Sequence, residues 1–204
     1  MSIPVVDFWF DFGSTYSYPA AIRAPACAAK IGVSIRYRPF LLGPIFKAQG
    51  WDTSPFNIYE AKGRYMWRDL ERVCAELSIP FRRPEPFPQD SLLAARVAIA
   101  GRNESWHDDY CRAVFRAQFG EGLRIDDTTV IAGILHRAGA PASWLEQAGS
   151  DDVKRVLRTE TEQARQLGIF GAPSFITPDG ELFWGNDRLD TALAWAKGTA
   201  AANA

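Results

Sequence analysis

The stretch VVDFWFDFGSTYSYPA, residues 5–20, puts a hydroxyl where chemistry is easily done. An apolar, aromatic run ends at Gly13-Ser14 and passes directly into a segment with the texture of a helix. A serine at such a junction is commonly a plain N-cap. The same place also gathers a hydroxyl donor, unpaired helix N–H groups and the positive end of the helix dipole, which together favour an anion. Thr15 is the alternative donor. A second polar cluster, Gly185-Asn186-Asp187-Arg188, lies between an apolar run and the last helical pattern, where Asn186 or Asp187 can cap a helix or offer an anion site. His107 and His136 match no triad or metal spacing and read as structural or exposed. Cys27, Cys74 and Cys111 are far apart, with no CxxC and no zinc spacing, and read as small buried residues on helices. No metal site is expected.

The elements that must position these groups are legible in outline. Residues 5–12 alternate as a strand, with Val6, Phe8, Phe10 and Phe12 on one face and Val5, Asp7, Trp9 and Asp11 on the other. The alanine-rich helix that follows stops at Gly32, and Pro19 and Pro25 are expected to kink or interrupt it. Residues 34–40 are a second strand, and the crossover implies a parallel pair. From about residue 57 to 165 the pattern is helical, broken by a proline-rich loop around Arg82-Arg83 that reads as a candidate lid. β texture returns as a hairpin, SFIT and ELFW around Pro178-Asp179-Gly180. A last helix and a frayed tail, TAAANA, close the chain. The order is β-α-β, helices, then β-β-α: a small mixed sheet interrupted by an all-α block.

Bulk properties narrow the function. With 23 basic and 24 acidic residues, the chain carries no basic footprint for nucleic acid and no polybasic membrane patch. No apolar run approaches membrane-spanning length, and the start lacks a signal-peptide pattern. The unpaired cysteines point to a reduced, cytoplasmic location. A small ligand or a protein partner is the better expectation.

FDFGSTYSY, RPFLLGPIFKAQGW, AKGRYMWRDLERVC, Gly171-Ala172-Pro173 and FWGNDRLD together resemble the 2-hydroxychromene-2-carboxylate isomerases, which share a thioredoxin-fold group with DsbA-like proteins and kappa-class glutathione transferases. The resemblance runs from Val5 to about Leu193. It implies an α/β fold, a thioredoxin-like mixed sheet with an all-α insertion: residues 1–60 and 166–204 as the thioredoxin-like domain, 61–165 as the helical domain. In disulfide oxidoreductases of this fold a nucleophilic cysteine stands where Ser14 stands here, so redox exchange has no thiolate at this position.

What the resemblance implies instead is glutathione as cofactor, with Ser14 stabilising its thiolate. Ala172, before a cis Pro173, would pair in β-fashion with the cysteinyl portion. Asn186 and Asp187, and less firmly Arg188, would hold the γ-glutamyl end, and Lys62 the glycyl carboxylate. Lys47, Trp51, Asn57, Arg64, Tyr65 and Trp67 are weaker candidates for a pocket taking an aromatic carboxylate. The implied reaction interconverts 2-hydroxychromene-2-carboxylate and trans-o-hydroxybenzylidenepyruvate, a step of naphthalene-type aromatic hydrocarbon catabolism. A homodimer is the family's expectation. The rival readings are a kappa-type glutathione transferase and a non-catalytic thioredoxin-like binding module.

Overall fold

The computed structural model describes residues 3–202; Met1, Ser2 and the last two residues of the tail lie outside them. In chain order the elements are β1 (Val5–Phe10), α1 (Ser17–Ile31), β2 (Ser34–Pro39), α2 (Leu42–Ala48), α3 (Pro55–Ile58) and α4 (Glu60–Glu76). Then come α5 (Leu92–Ala100), α6 (His107–Phe115), a π-turn (Arg116–Gly120), α7 (Thr128–Arg137), α8 (Trp144–Gln147) and α9 (Asp151–Gln166). The chain closes with β3 (Ser174–Ile176), β4 (Leu182–Trp184), a 3₁₀ turn (Asn186–Arg188) and α10 (Leu189–Ala202). The sheet order is β2-β1-β3-β4. β1 pairs parallel with β2, Val5 opposite Ser34, and antiparallel with β3, Phe8 opposite Phe175. This is the mixed sheet expected from the β-α-β opening and β-β-α close, with a helical insertion between β2 and β3.

The alternation along β1 decides both faces of the sheet. Val6, Phe8 and Phe10 are fully buried on one face, where Phe8 stacks on Phe175 at 5.2 Å and meets Tyr37 edge-on at 5.3 Å. That core continues without a break into Ala20, Ala21 and Ala24 of α1, Leu189 and Leu193 of α10, and the insertion helices through Met66, Leu70, Tyr110 and Phe115. The opposite face buries Trp9 with Phe40, Ile45, Ala164, Ile169 and Ile176 under α2 and α9. At its edge Arg38 lies 4.3 Å over the Trp9 ring and pairs with Glu160 of α9 at 2.6 Å. Asp7 holds Arg36 and Arg38 beside it.

Several elements differ from expectation. β1 ends at Phe10, because Asp11 turns in to accept hydrogen bonds and Phe12 drops into the main core. The helix begins at Ser17, with Tyr16 as N-cap, so Ser14 is not the cap. Pro19 therefore falls in the first turn, where its missing N–H costs nothing, and α1 runs uninterrupted through Pro25. Gly43 and Pro44 obscure α2 in the sequence, yet both lie in its first turn, where proline is tolerated. The hairpin strands shrink to three residues each, and α10 continues to Ala202 where the sequence suggested an earlier frayed end. His107 is buried against Asp108 and Cys111. The Cys74 thiol is pushed up to about 12 by burial, so it is inert at neutral pH.

Candidate active site

The strand-to-helix turn after β1 is built around one buried carboxylate. Asp11 accepts hydrogen bonds from the Gly13 N–H (2.8 Å), the Ser91 hydroxyl (2.7 Å) and the Leu42 N–H (2.7 Å). It thereby ties the turn carrying Ser14 to the first residue of α2 and to the N-terminus of α5. Ser91 stands where a cap would stand, but its hydroxyl is given to Asp11 rather than to its own helix. Burial raises the Asp11 carboxyl above its ordinary value, more than the three donors lower it.

Ser14 follows on this base. Its N–H donates to the Asp11 carbonyl (2.9 Å) and its hydroxyl to the Ala172 carbonyl (2.8 Å), joining the β1–α1 turn to the segment that enters β3. Thr15 is directed elsewhere: its hydroxyl donates to the Met66 sulfur at 3.2 Å in the core. Of the two hydroxyls in the turn, Ser14 is thus the one set against the β3 approach. The Ala172–Pro173 bond is cis. The Ala172 N–H has no partner among the described residues, while the Pro173 carbonyl accepts from Gly185 N–H at 3.0 Å. That bond brings the Gly185–Arg188 turn alongside.

A cavity of about 1030 Å³ opens over these groups. Ser14, Lys62, Ala172, Pro173, Asn186, Asp187 and Arg188 all line it, and so does Trp51. Its apolar wall comes from Leu41, Phe46, Phe56, Phe87, Phe170 and Trp184. Phe170 and Trp184 are half-exposed and pack on each other at 5.0 Å. Gly171 makes room for that pair, since a side chain there would begin 2.5 Å from the Trp184 indole nitrogen.

The remaining sequence candidates lie off the lining. Lys47 is exposed on α2, and Asn57 is turned to Thr53 (3.1 Å). Arg64 pairs with Glu60 on the outside of α4, and Tyr65, 61% exposed, reaches Asp69. Trp67 is buried against Phe81 and Phe87, with Arg83 4.7 Å over its ring. Arg82 and Arg83 are themselves not in the lining, although Phe87 to Asp90 of their loop are. Lys62 is exposed and its ammonium lies 5.6 Å from the Tyr59 ring.

Asp11, Tyr16 and Asp69 are among the lining groups that escaped the sequence reading. Tyr16 donates to Asp69 at 2.8 Å, and burial together with that carboxylate raises its phenol well above the ordinary range, so it stays a neutral donor. Asp11 left a signal, a carboxylate in an otherwise aromatic run three residues before the serine; Asp69 left none. No group of three or more His, Cys, Asp or Glu side chains able to hold a metal occurs among the described residues, and none of their helices is long and apolar enough to cross a membrane.

The Gly185 turn has no tolerance for a side chain. At φ 113 and ψ 149 it occupies a region open almost only to glycine, and a Cβ would run into the Asp187 carboxylate. Gly185→Ala is expected to cost about 1–3 kcal/mol of stability, measured by denaturant unfolding. A variant as stable as the parent would mean that the turn relaxes at no cost.

Comparison with known proteins follows the same outline. Residues 5–194 match the DSBA-like thioredoxin domain family. The chain is 32% identical to a 2-hydroxychromene-2-carboxylate isomerase of Sphingobium xenophagum over 91% of this chain and 94% of that one. It is 26% identical to glutathione S-transferase kappa 2 of Caenorhabditis elegans, over 91% of this chain and 88% of that protein. A solved structure of a 2-hydroxychromene-2-carboxylate isomerase superposes with a TM-score of 0.85 at 30% identity, covering 97% of this chain and 96% of that one. With a serine at the strand–helix turn of a thioredoxin-like sheet and likeness over nearly its whole length, the chain belongs to the 2-hydroxychromene-2-carboxylate isomerase family within the DSBA-like thioredoxin-domain group.

Proposed function

We propose that this protein is a glutathione-dependent isomerase that interconverts 2-hydroxychromene-2-carboxylate and trans-o-hydroxybenzylidenepyruvate. The observation that carries the reading is the Ser14 hydroxyl, held 2.8 Å from the Ala172 carbonyl at the wall of the large cavity. The lining suits a γ-glutamyl tripeptide: an unpartnered Ala172 N–H for its backbone, Asn186 and Asp187 for an amino-acid head, and Lys62 for a carboxylate. Bound glutathione would supply a thiolate whose reversible addition to the conjugated carbon of the ring-opened acid makes its double bond single, so that it rotates before elimination restores it.

The chain's own residues bind, orient and neutralise. The Ser14 hydroxyl, now on a carbonyl, turns to donate to the sulfur anion, assisted by the N-terminal end of α1. Asp11 keeps that turn in place through Gly13. The aromatic and aliphatic wall receives the substrate ring and excludes water, which strengthens each polar contact made inside. Catalysis on this reading is positioning plus charge stabilisation.

The test is optical: the spectrum of 2-hydroxychromene-2-carboxylate is followed after adding protein, with and without glutathione. Rapid equilibration that needs glutathione and consumes no thiol is the expected result. Net loss of thiol with formation of a conjugate would make the protein a transferase, the reading favoured by its likeness to a kappa enzyme. Failure to bind glutathione at all would leave a binding module. A cytoplasmic location, a homodimer and a place in naphthalene-type catabolism belong to the same proposal.

Lys62 gives a graded check. Lys62→Ala is expected to raise the KM for glutathione about 2–5-fold, since an exposed ion pair contributes up to about 1 kcal/mol. The effect should shrink as salt is added. An unchanged KM at low salt removes Lys62 from the site.

A further inference from the structure

One guanidinium outside the cavity is bonded directly to the Asn186 turn. Arg23, on α1 and with a side chain only 17% exposed, is absent from the cavity lining. Its Nε donates to Asn186 Oδ1 at 3.0 Å, one terminal nitrogen donates to the Asn186 carbonyl at 2.5 Å, and the other to Asp190 Oδ2 at 2.6 Å. Every polar atom of arginine is a donor, so the amide atom facing it has to be the oxygen. The usual ambiguity in the orientation of an asparagine amide is thereby removed by chemistry.

Both oxygens of Asn186 then accept from Arg23. Among the described residues the side-chain Nδ2 has no partner, while Oδ1 is turned to Arg23 outside the lining, so the unpaired amide group that Asn186 keeps for a ligand is a donor. The next residue, Asp187, contributes a carboxylate to the same lining. Donor followed by acceptor is the complement of a carboxylate and an ammonium on one carbon. The link to Asp190 anchors the guanidinium at the start of α10, and Arg23 in turn holds the Asp190 carboxyl below its usual range.

We propose that Arg23 is a positioning residue that fixes the polarity of Asn186, so that the turn selects ligands presenting an α-carboxylate beside the α-ammonium. This rests on the glutathione reading above. Without Arg23 the amide is free to rotate, and the turn would accept either a donor or an acceptor.

The experiment is calorimetric titration of purified protein with glutathione and with its analogue lacking the γ-glutamyl α-carboxylate. The parent, Arg23→Lys, Arg23→Met, Asn186→Ala and the Arg23→Met/Asn186→Ala double variant are compared, each with its unfolding midpoint. The parent is expected to prefer glutathione by about tenfold or more, and Arg23→Met to bind glutathione about tenfold more weakly with that preference largely lost. Asn186→Ala should lose the same preference, and the double variant should bind no worse than either single one. Arg23→Lys keeps a charge beside Asp190 but cannot make the fork to Asn186; it should fold and still lose the preference. Weakened binding with the preference intact, or additive losses in the double variant, would overturn the assignment and leave Arg23 a general support. A parent that binds no glutathione would instead bring down the proposed function, and this inference with it.

Discussion

Replacing Ser14 by alanine is expected to lower kcat/KM for isomerisation by about 100–1,000-fold, the range found when one preorganised donor is taken from a developing anion. The argument is geometric. Ser14 is 8% exposed and its backbone is pinned to Asp11, so its Oγ stands at the cavity wall in advance and only its hydroxyl proton swings off the Ala172 carbonyl when an anion arrives. A donor whose oxygen is held at that point acts more strongly in a site shielded from water than it would in bulk solvent. Thr15→Val is the companion variant. Its hydroxyl serves the Met66 sulfur, so its removal should disturb packing near α4 and reduce the rate far less. Steady-state kinetics at saturating glutathione, on protein whose circular dichroism matches the parent, reads the contrast. Equal losses in both variants, or none in Ser14→Ala, would take the serine out of the mechanism.

The second large effect is predicted at Asp11. Truncation to alanine strands the Gly13 and Leu42 N–H groups and the Ser91 hydroxyl, three donors that now share one buried acceptor. Each unsatisfied buried donor costs about 1–3 kcal/mol, so a loss of about 3–5 kcal/mol is expected once some relax toward water. That is a large part of the 5–15 kcal/mol typical of a folded domain. Activity should fall with it, because the Ser14 turn loses its anchor.

The pH dependence at Asp11 has a definite sign. Burial leads the causes that raise this carboxyl, so the folded state binds its proton more tightly than the unfolded chain does. Its contribution to stability is therefore complete below the unfolded carboxyl value of about 3.9 and declines as pH rises through the folded value. The unfolding free-energy gap between parent and Asp11→Ala should accordingly be wider at pH 4 than at pH 8. A gap that widens with pH would show that the three donors outweigh burial and hold the carboxyl low.

These two residues also mark how far the sequence could be read. Ser14 was legible because a strand that ends in Gly-Ser before a helix is a local pattern, and its neighbours carried a family resemblance. The role of Asp11 was not, because its partners Leu42 and Ser91 stand 31 and 80 residues away. The same applies to Arg23, which meets Asn186 across 163 residues. Trp67 and Tyr65 read alike on α4, yet only packing against Phe87 put one inside and left the other exposed.

What the sequence determined alone were the quantities that neighbours along the chain control. These are the alternation of β1, the hairpin between β3 and β4, the helical texture of the insertion, and a serine in place of a thiol. The tertiary structure decided which hydroxyl of the turn faces the β3 approach, which lysine and tryptophan line the cavity, and what holds the Asn186 amide. Those outcomes depend on hydrogen bonds and burial between segments distant in sequence. Periodicity records the face a residue takes but not the partner it meets there.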